Sequence, residues 1–354
     1  MNHDAQIEEI CREVFGKQPV LIKDFFSLSN FIYYIEFSEE EKYVLKIFNL
    51  EADNIFLFDQ KKTEEVLRES KFYTSLIYKE TPNWCIEHFI KGETLEVEHH
   101  RSQQHRKMYM KRISEYHKLA MRKDIKEHII HRLWSFKPKI YSKIRENIKD
   151  HPQKAEIEEI LFQFEEFYNK VFRNFQTDEK LVFVHNDLLY GNWLYDKKDK
   201  RFQLIDFEYT GFGFFMTDIY NIMIESIYDY RDEGSSWYIR HEEYLPNADE
   251  IKELIRYYLF FEKYGDEYYS QTDELEHLKQ IEDDQRLKQI SQEEIDKYYD
   301  NIDLYGSICN LYWTLWAFYI YYKPDRNIDY VPYGLDRYKD FCRNASKLKK
   351  FGNI

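Results

Sequence analysis

The sequence predicts an α+β protein: a small antiparallel sheet first, then a larger, mostly helical part. Two observations predict it. Three strand-like runs, Val20 to Ile22, Phe31 to Phe37 and Lys42 to Phe48, fall within the first fifty positions, and a fourth begins at Trp84. From about residue 107 the apolar residues recur at helical spacing instead, through stretches such as 107–120, 134–144, 157–175 and 249–269. With 354 residues the chain can form two lobes with their own cores. Scarce Gly and Pro and abundant Tyr and Phe suit helix-rich aromatic packing, not a repeat or low-complexity array.

A net charge of −14 argues against a phosphate-backbone partner such as nucleic acid. It suits a cationic substrate, although a solvated acidic surface accounts for most of it. Cys11, Cys85, Cys309 and Cys342 show no C-x-x-C spacing, so neither a disulfide framework nor a zinc site is expected, and the cytoplasm is the expected compartment. The N-terminal MNHDAQIEEICREVF is charged and amphipathic, without the apolar core of a signal peptide. Leu304 to Tyr322 lacks charged residues and is long enough to span a bilayer. Gly306, Ser307, Asn310, Thr314 and several Tyr are spread around it, so it reads as a buried helix, and no integral membrane segment is expected.

Taken in order, residues from about 5 to 17 form a helix with Ile7, Ile10, Cys11 and Val14 on one stripe. Lys46 interrupts the buried-strand run Tyr43 to Phe48, and a charge there needs a partner; Glu69, in the helix Thr63 to Leu76, is the expected one. Lys91-Gly92 breaks the run Trp84 to Leu95 and places the domain boundary, giving 1–90 and 91–354. The helix Lys107 to Ala120 turns Ile113, Tyr116, His117 and Leu119 inward, with His117 a hydrogen-bonded core histidine. Helices Trp134 to Ile144 and Ile157 to Phe175 precede a short strand, Leu181 to Val184. Asp218 opens a helix from Ile219 to Tyr230, Arg231 to Pro246 is a loop, and Asp249 to Tyr269 is a helix. The acidic run Glu282-Asp283-Asp284 reads as a solvated face. Ser291 to Glu294 has the form of a capping box opening the last long helix, on which Trp313 and Trp316 share one face.

The most informative stretch is Val184 to Gly211, VHNDLLYGNWLYDKKDKRFQLIDFEYTG. Trp193-Leu194-Tyr195 and Phe202 to Ile205 are strand-forming runs around the charged turn Asp196 to Arg201, hence a hairpin. Folding it brings Asn192, before the first strand, close to Asp206, after the second. An amide oxygen and a carboxylate are the hard ligands Mg²⁺ prefers, and Asp187 is then a free carboxylate nearby. Phosphoryl transfer needs cations to neutralise phosphate oxygens and a carboxylate to orient the attacking hydroxyl and take its proton. The spacing H-x-D-x-x-x-x-N, hairpin, D-F resembles that of kinase-fold phosphotransferases.

The wider text HNDLLYGNWLYD…FQLIDFEYTGFG…TDIYNIMIESIYDY closely resembles the choline/ethanolamine kinase family, with its H-N-D-x-x-x-x-N, I-D-F-E-Y-x-G and D-I-x-N-x-x-x-E signatures. Asp218, Ile219, Asn221 and Glu225 match the last of these. Protein kinases carry His-Arg-Asp and Asp-Phe-Gly, so His-Asn-Asp and Asp-Phe-Glu point to the small-molecule branch. The likeness runs from about Val20 to Phe341 and is most specific in Val184–Tyr230.

The resemblance implies a two-lobed protein-kinase-like fold, with 1–90 an ATP-binding lobe and 91–354 a catalytic and substrate-binding lobe. It implies transfer of a phosphoryl group from ATP, with Mg²⁺, to the hydroxyl of choline and also of ethanolamine, the first step of the CDP-choline route to phosphatidylcholine. Asp187 is then the base, His185 a prop for its loop, Asp218 a brace, and Asn192 and Asp206, with Glu208, the metal ligands. Lys46 and Glu69 steady the phosphates. Ser27, Ser29 and Asn30 lie in the turn where the family carries Gly-Gly-x-x-Asn over the phosphates; Phe26-Ser27 stand in place of the glycines, which puts nucleotide affinity in question. Glu87, His88, Phe89 and Ile90 present backbone or side chain to the adenine. Glu225 and Tyr230 border the alcohol pocket, where Ser226 replaces the family's aromatic. Trp313 and Trp316 match the family's W-G-L-W and Tyr333 its Y-A-x-x-R-F element, together an aromatic cage for a quaternary ammonium. Dimers are common in the family, although no heptad or symmetric patch marks one here. Two rivals to choline phosphorylation are a kinase of another small alcohol, such as ethanolamine or an aminoglycoside, and a non-catalytic nucleotide- or choline-binding module.

Overall fold

The alternating runs near the N-terminus pair as an antiparallel sheet in the computed structural model, which describes residues 3–25, 30–48, 66, 77–124, 126, 128–173, 175, 177–197, 200–231, 237–265, 274–323 and 328–348. Its strands are β1 (Leu21–Phe25), β2 (Phe31–Glu36), β3 (Lys42–Ile47), β4 (Ile77–Glu80) and β5 (Trp84–His88), ordered β1-β2-β3-β5-β4. Side chains alternate across a strand, so Tyr33 and Ile35, Tyr43, Leu45 and Ile47, and Trp84 and Ile86 fall on one face and are buried there. Helix α1 (Asp4–Phe15) lays Ile7, Ile10 and Cys11 against that face. It stops at Gly16, whose φ of 69° returns its N–H to the Arg12 carbonyl at 3.0 Å. Lys46 has the opposite parity and points to the other face of the sheet.

This sheet belongs to a unit comprising Met1–Asn54 and Lys61–Lys91; a second unit comprises Ile55–Gln60 and Gly92–Ile354. The second is mostly helical. It contains β6 (Glu93–Thr94), α2 (Val97–Arg101), α3 (Gln103–His117), β7 (Met121–Arg122), α4 (Ile129–Ser135), α5 (Lys137–Asn147) and α6 (Lys154–Phe167). Next come β8 (Leu181–Val184), the hairpin β9 (Trp193–Asp196) and β10 (Arg201–Leu204), β11 (Gly211–Gly213), α7 (Phe215–Glu225), β12 (Tyr228–Asp229) and β13 (Ile239–Arg240). Helices α8 (Ala248–Tyr264), α9 (Glu274–Asp283), α10 (Gln285–Gln289), α11 (Gln292–Tyr299), α12 (Ile302–Ile320) and α13 (Val331–Ala345) complete it. Strand β8 is buried along its length between β7 and β11, and α7 is buried at every position.

Among the described residues no helix is long and apolar enough to cross a membrane. Helix α12 is instead buried by protein from Leu304 to Tyr319. It packs on α13 so closely that a Cβ on Gly306 would lie 2.3 Å from the Asn344 amide nitrogen, and one on Gly334 2.6 Å from the Phe318 ring. Each glycine lowers helix propensity, which this approach offsets.

Several expected boundaries move. The helix expected over Ile219–Tyr230 starts at Phe215 and ends at Glu225, where the Ser226 hydroxyl meets the Met223 and Tyr244 carbonyls. Tyr230 is therefore not helical. The expected helix Trp134–Ile144 is two, α4 and α5, parted at Phe136, with Pro138 in the first turn of the second. Ser291 does cap a helix, its hydroxyl accepting from the Glu294 N–H at 3.1 Å, but that helix is the short α11. The tryptophans ride on α12, and α13 follows it. Within the expected loop Arg231–Pro246, β13 pairs with β12. Helix α8 begins one residue before the expected start, under a reciprocal cap between Asn247 and Glu250.

Candidate active site

The loop after β8 is held almost entirely by polar side chains from helices. Asp218, in the first turn of α7 and fully buried, accepts the His185 N–H on Oδ2 and the Asn186 N–H on Oδ1, both at 2.8 Å. His117 Nε2 donates to the same Oδ2 at 2.9 Å, and the Tyr258 hydroxyl meets its Nδ1. Asn221, a turn further along α7, accepts the Leu188 N–H at 2.6 Å. Asn186 adopts a left-handed φ of 68° and donates its side-chain amide to the Tyr209 carbonyl. His185 props the loop from inside: Nδ1 accepts the Asp187 N–H at 3.3 Å while Nε2 donates to the Ile205 carbonyl at 3.1 Å. Burial lowers its pKa, which keeps it neutral and suits this pairing. His117 and Asp218 are thus structural, as their sequence contexts imply.

His100 was not singled out by sequence. Its Nε2 donates to the Leu188 carbonyl at 2.7 Å, and burial drives its pKa down to about 3. A lone histidine on a short helix gives no periodic signal, so only the fold reveals this contact.

The hairpin closes as expected, with Trp193 opposite Leu204 and the Ile205 N–H bonded to the Asn192 carbonyl at 3.0 Å. That last bond makes Asn192 and Asp206 neighbours across the hairpin base. Asn192 gives both amide protons to Asp187, one to its carbonyl and one to Oδ2, each at 2.8 Å. The Asn192 oxygen is therefore turned away from Asp187. Asp206 takes a left-handed φ of 64° leading into the Phe207–Tyr209 turn that carries Glu208.

Burial pushes the Asp187 carboxyl well above the usual range, and the negative charges of Asp206, Glu225 and Glu208 push it further. Crowded carboxylates with an outward amide oxygen have the chemistry of a divalent-cation site. Among the described residues no group of three or more His, Cys, Asp or Glu side chains is placed to hold a metal ion. Mg²⁺ needs none, since it is commonly held by one or two protein oxygens together with substrate phosphates. The residues present fit the ion.

In the sheet unit, Lys46 is buried and its Nζ lies 3.0 Å from Glu87 Oε1 on the adjacent strand. The register sets Lys46 opposite Cys85 and Glu87 opposite Val44, a diagonal pair on one face. Glu87 is thus a partner of Lys46, whereas the expected partner Glu69, and Ser27 and Ser29, lie outside the described residues. Asn30 is buried. Phe89 gives its N–H to the Lys42 carbonyl at 3.0 Å and sets its ring edge-on to Tyr34 at 5.0 Å, so that amide is engaged within the sheet; Ile90 is half-buried.

A second group of residues brings Glu225, Tyr230, Trp313, Trp316 and Tyr333 into one aromatic neighbourhood. Glu225 is buried at the end of α7, with the Tyr230 hydroxyl on Oε2 at 2.6 Å and Arg337 Nη1 on Oε1 at 3.2 Å. Burial raises its pKa, while Arg337 and Tyr230 work to lower it. Ring contacts run from Tyr209 to Trp313 (5.3 Å), Trp313 to Trp316 (5.3 Å), Trp316 to Tyr330 (5.2 Å) and Tyr330 to Trp237 (5.2 Å). Trp237 reaches both Tyr333 at 5.3 Å and Tyr230 at 5.7 Å. Trp237, Tyr330, Tyr209 and Arg337 were not anticipated. Tyr209 had a signal, being part of the Asp206 to Tyr209 turn; Trp237 and Tyr330 lie on separate connections, and no spacing links them to α12.

Compared with known proteins, residues 25–342 match the family model described as choline/ethanolamine kinase. The chain is 25% identical over 191 residues to the probable choline kinase 3 of Arabidopsis thaliana, covering 54% of this chain and 48% of that protein. It is 25% identical over 333 residues to the probable ethanolamine kinase A of Dictyostelium discoideum, covering 91% of this chain and 84% of that one. The alignments with the Arabidopsis relatives span about half of their length. Among solved structures, the choline kinase of Cryptosporidium parvum Iowa II superposes with a TM-score of 0.71 at 19% identity, covering 98% of this chain and 97% of that one, which shows a shared fold.

Proposed function

The chain belongs to the choline/ethanolamine kinase family, a group of protein-kinase-like fold, and from that premise we propose that it phosphorylates the hydroxyl of choline, using ATP as donor and Mg²⁺ as cofactor. Ethanolamine is the lesser substrate in this reading. The observation that carries it is the pairing of Asp187 with Asn192 in a loop clamped by Asp218, beside the carboxylates of Asp206 and Glu208.

Asp187 orients the substrate hydroxyl and accepts its proton as the oxygen attacks phosphorus. Asn192 holds the carboxylate in one orientation by binding Oδ2. Asn192 and Asp206, with Glu208, would hold Mg²⁺, which when bound neutralises charge on the phosphate oxygens. Lys46 is the cation assigned to the ATP phosphates, with Glu87 fixing its position. Asn30 contacts the phosphates, and the strand end at Glu87 to Ile90 serves the adenine.

The headgroup is received by Glu225, Tyr230, Trp313, Trp316 and Tyr333, to which Trp237 and Tyr330 are added. A trimethylammonium group has no N–H to donate, so ring faces recognise it, at about 0.5–2 kcal/mol per well-placed ring. The aromatic wall is what favours choline over ethanolamine. Among the described residues Cys11, Cys85, Cys309 and Cys342 form no disulfide with one another, which suits a reducing compartment such as the cytoplasm. The product, phosphocholine, would feed phosphatidylcholine synthesis.

ATP consumption by the purified protein, with and without choline, tests this reading. Choline-dependent ADP release with formation of phosphocholine is expected. ATP hydrolysis indifferent to any amino alcohol, or phosphorylation of an aminoglycoside in preference, would overturn it.

A further inference from the structure

The carboxylate of Glu225 is already engaged on both oxygens before any ligand is considered. Tyr230 donates to Oε2 at 2.6 Å and Arg337 donates to Oε1 at 3.2 Å. Arg337, on α13, is fully buried, and its guanidinium carbon lies 5.5 Å from the ring centres of both Tyr228 and Tyr333. Its Nη2 faces the Cys309 sulfur at 3.8 Å and, among the described residues, its Nε has no hydrogen-bond partner and Glu225 is its one carboxylate contact.

The polar tips of the surrounding rings are engaged as well. Tyr228 accepts from Arg240, Tyr238 donates to Asp336, the Trp237 indole donates to the Asp329 carbonyl, and the Trp316 indole donates to the Tyr209 hydroxyl, all between 2.8 and 3.0 Å. What these side chains leave for a ligand is mainly ring surface. A primary ammonium brings three N–H donors and loses free energy for each one left unmatched after desolvation; a trimethylammonium brings none.

We infer that Arg337 is a specificity-determining positioning residue: together with the Tyr230 hydroxyl it takes one acceptor position on each Glu225 oxygen and fixes the carboxylate, so that it meets the headgroup mainly as a charge, with fewer positions left for N–H donors. This rests on the choline-kinase reading above and adds the device by which the site ranks amino alcohols according to their N-methylation. Asp187 and Glu208 do not substitute for Glu225 here, since that reading assigns them to the hydroxyl and the metal.

The test is the ratio of kcat/KM for choline to that for ethanolamine, with N-methyl- and N,N-dimethylethanolamine between them, in the wild type, Arg337→Met and Tyr230→Phe. Removing either donor adds an acceptor position for N–H on Glu225. The ratio should then fall about tenfold, through a lower KM for ethanolamine, with the partly methylated alcohols intermediate. Damage to folding lowers both numbers together and leaves the ratio alone. Tyr230→Phe keeps the ring and the ion pair, so it decides the matter where Arg337→Met does not fold. A ratio unchanged in Tyr230→Phe, with a wild type active on choline, overturns the inference and spares the proposed function. A wild type inactive on the whole series overturns both.

Discussion

Asn192 directs both protons of its side-chain amide at Asp187, one to the backbone carbonyl and one to the carboxylate, each 2.8 Å away. A residue proposed as a metal ligand through its oxygen therefore also orients the proposed base through its nitrogen. The two duties are compatible because an amide presents donors and acceptor on opposite sides.

Asn192→Ala should disable both duties at once. Losing an oriented base and a metal oxygen is expected to lower kcat by at least about a hundredfold. A higher Mg²⁺ concentration for half-maximal activity should accompany it. Steady-state assays over a Mg²⁺ titration check this, and a kcat within a few-fold of wild type would count against the joint role.

Asp218 accepts three donors inside the core: two loop amides and the His117 ring. Asp218→Asn keeps the shape but replaces one acceptor oxygen with a donor, setting an N–H against an N–H. Charge-assisted bonds of this type are worth about 1.5–3 kcal/mol each. The variant should lose on the order of 3 kcal/mol in urea unfolding, together with most of its activity.

Glu179 supplies a pH signature independent of catalysis. It sits before β8, accepts the Tyr305 hydroxyl at 2.7 Å on Oε2, and leaves Oε1 buried without a partner. Burial raises its pKa from the ordinary 4.5 to about 7. Because the folded-state value exceeds that of the unfolded chain, the group's contribution to stability is complete below about pH 4.5 and is lost as pH rises through 7. Glu179→Gln removes the ionisation. The stability of the variant relative to wild type should improve by about 2 kcal/mol between pH 5 and pH 8, read by urea unfolding at each pH. A difference that stays constant with pH would show that Glu179 is not held protonated.

Where the determinants are contiguous, the sequence is easily read. The hairpin from Trp193 to Leu204, with Asn192 and Asp206 at its two ends, follows from short-range patterning and closes in the structure; the brace at Asp218 is implied by the family resemblance, and its carboxylate accepts the loop amides. Contacts made across the fold are less legible. The contact of Lys46 with Glu87 depends on the diagonal register between β3 and β5, which a strand pattern does not give. Arg337 reaches Glu225 across 112 positions, and Trp237 and Tyr330 join the ring cluster from separate connections. Helix ends were also elusive: apolar periodicity continues past Glu225, whereas α7 ends there in a tightened last turn.

The central claim is that Asp187 is the base of a phosphoryl transfer to an amino alcohol. Measuring choline phosphorylation and MgATP binding side by side in Asp187→Ala tests it most directly. The account predicts a fall in kcat of at least about a thousandfold with MgATP affinity within a few-fold of wild type. Turnover above about a tenth of the wild-type rate would contradict it.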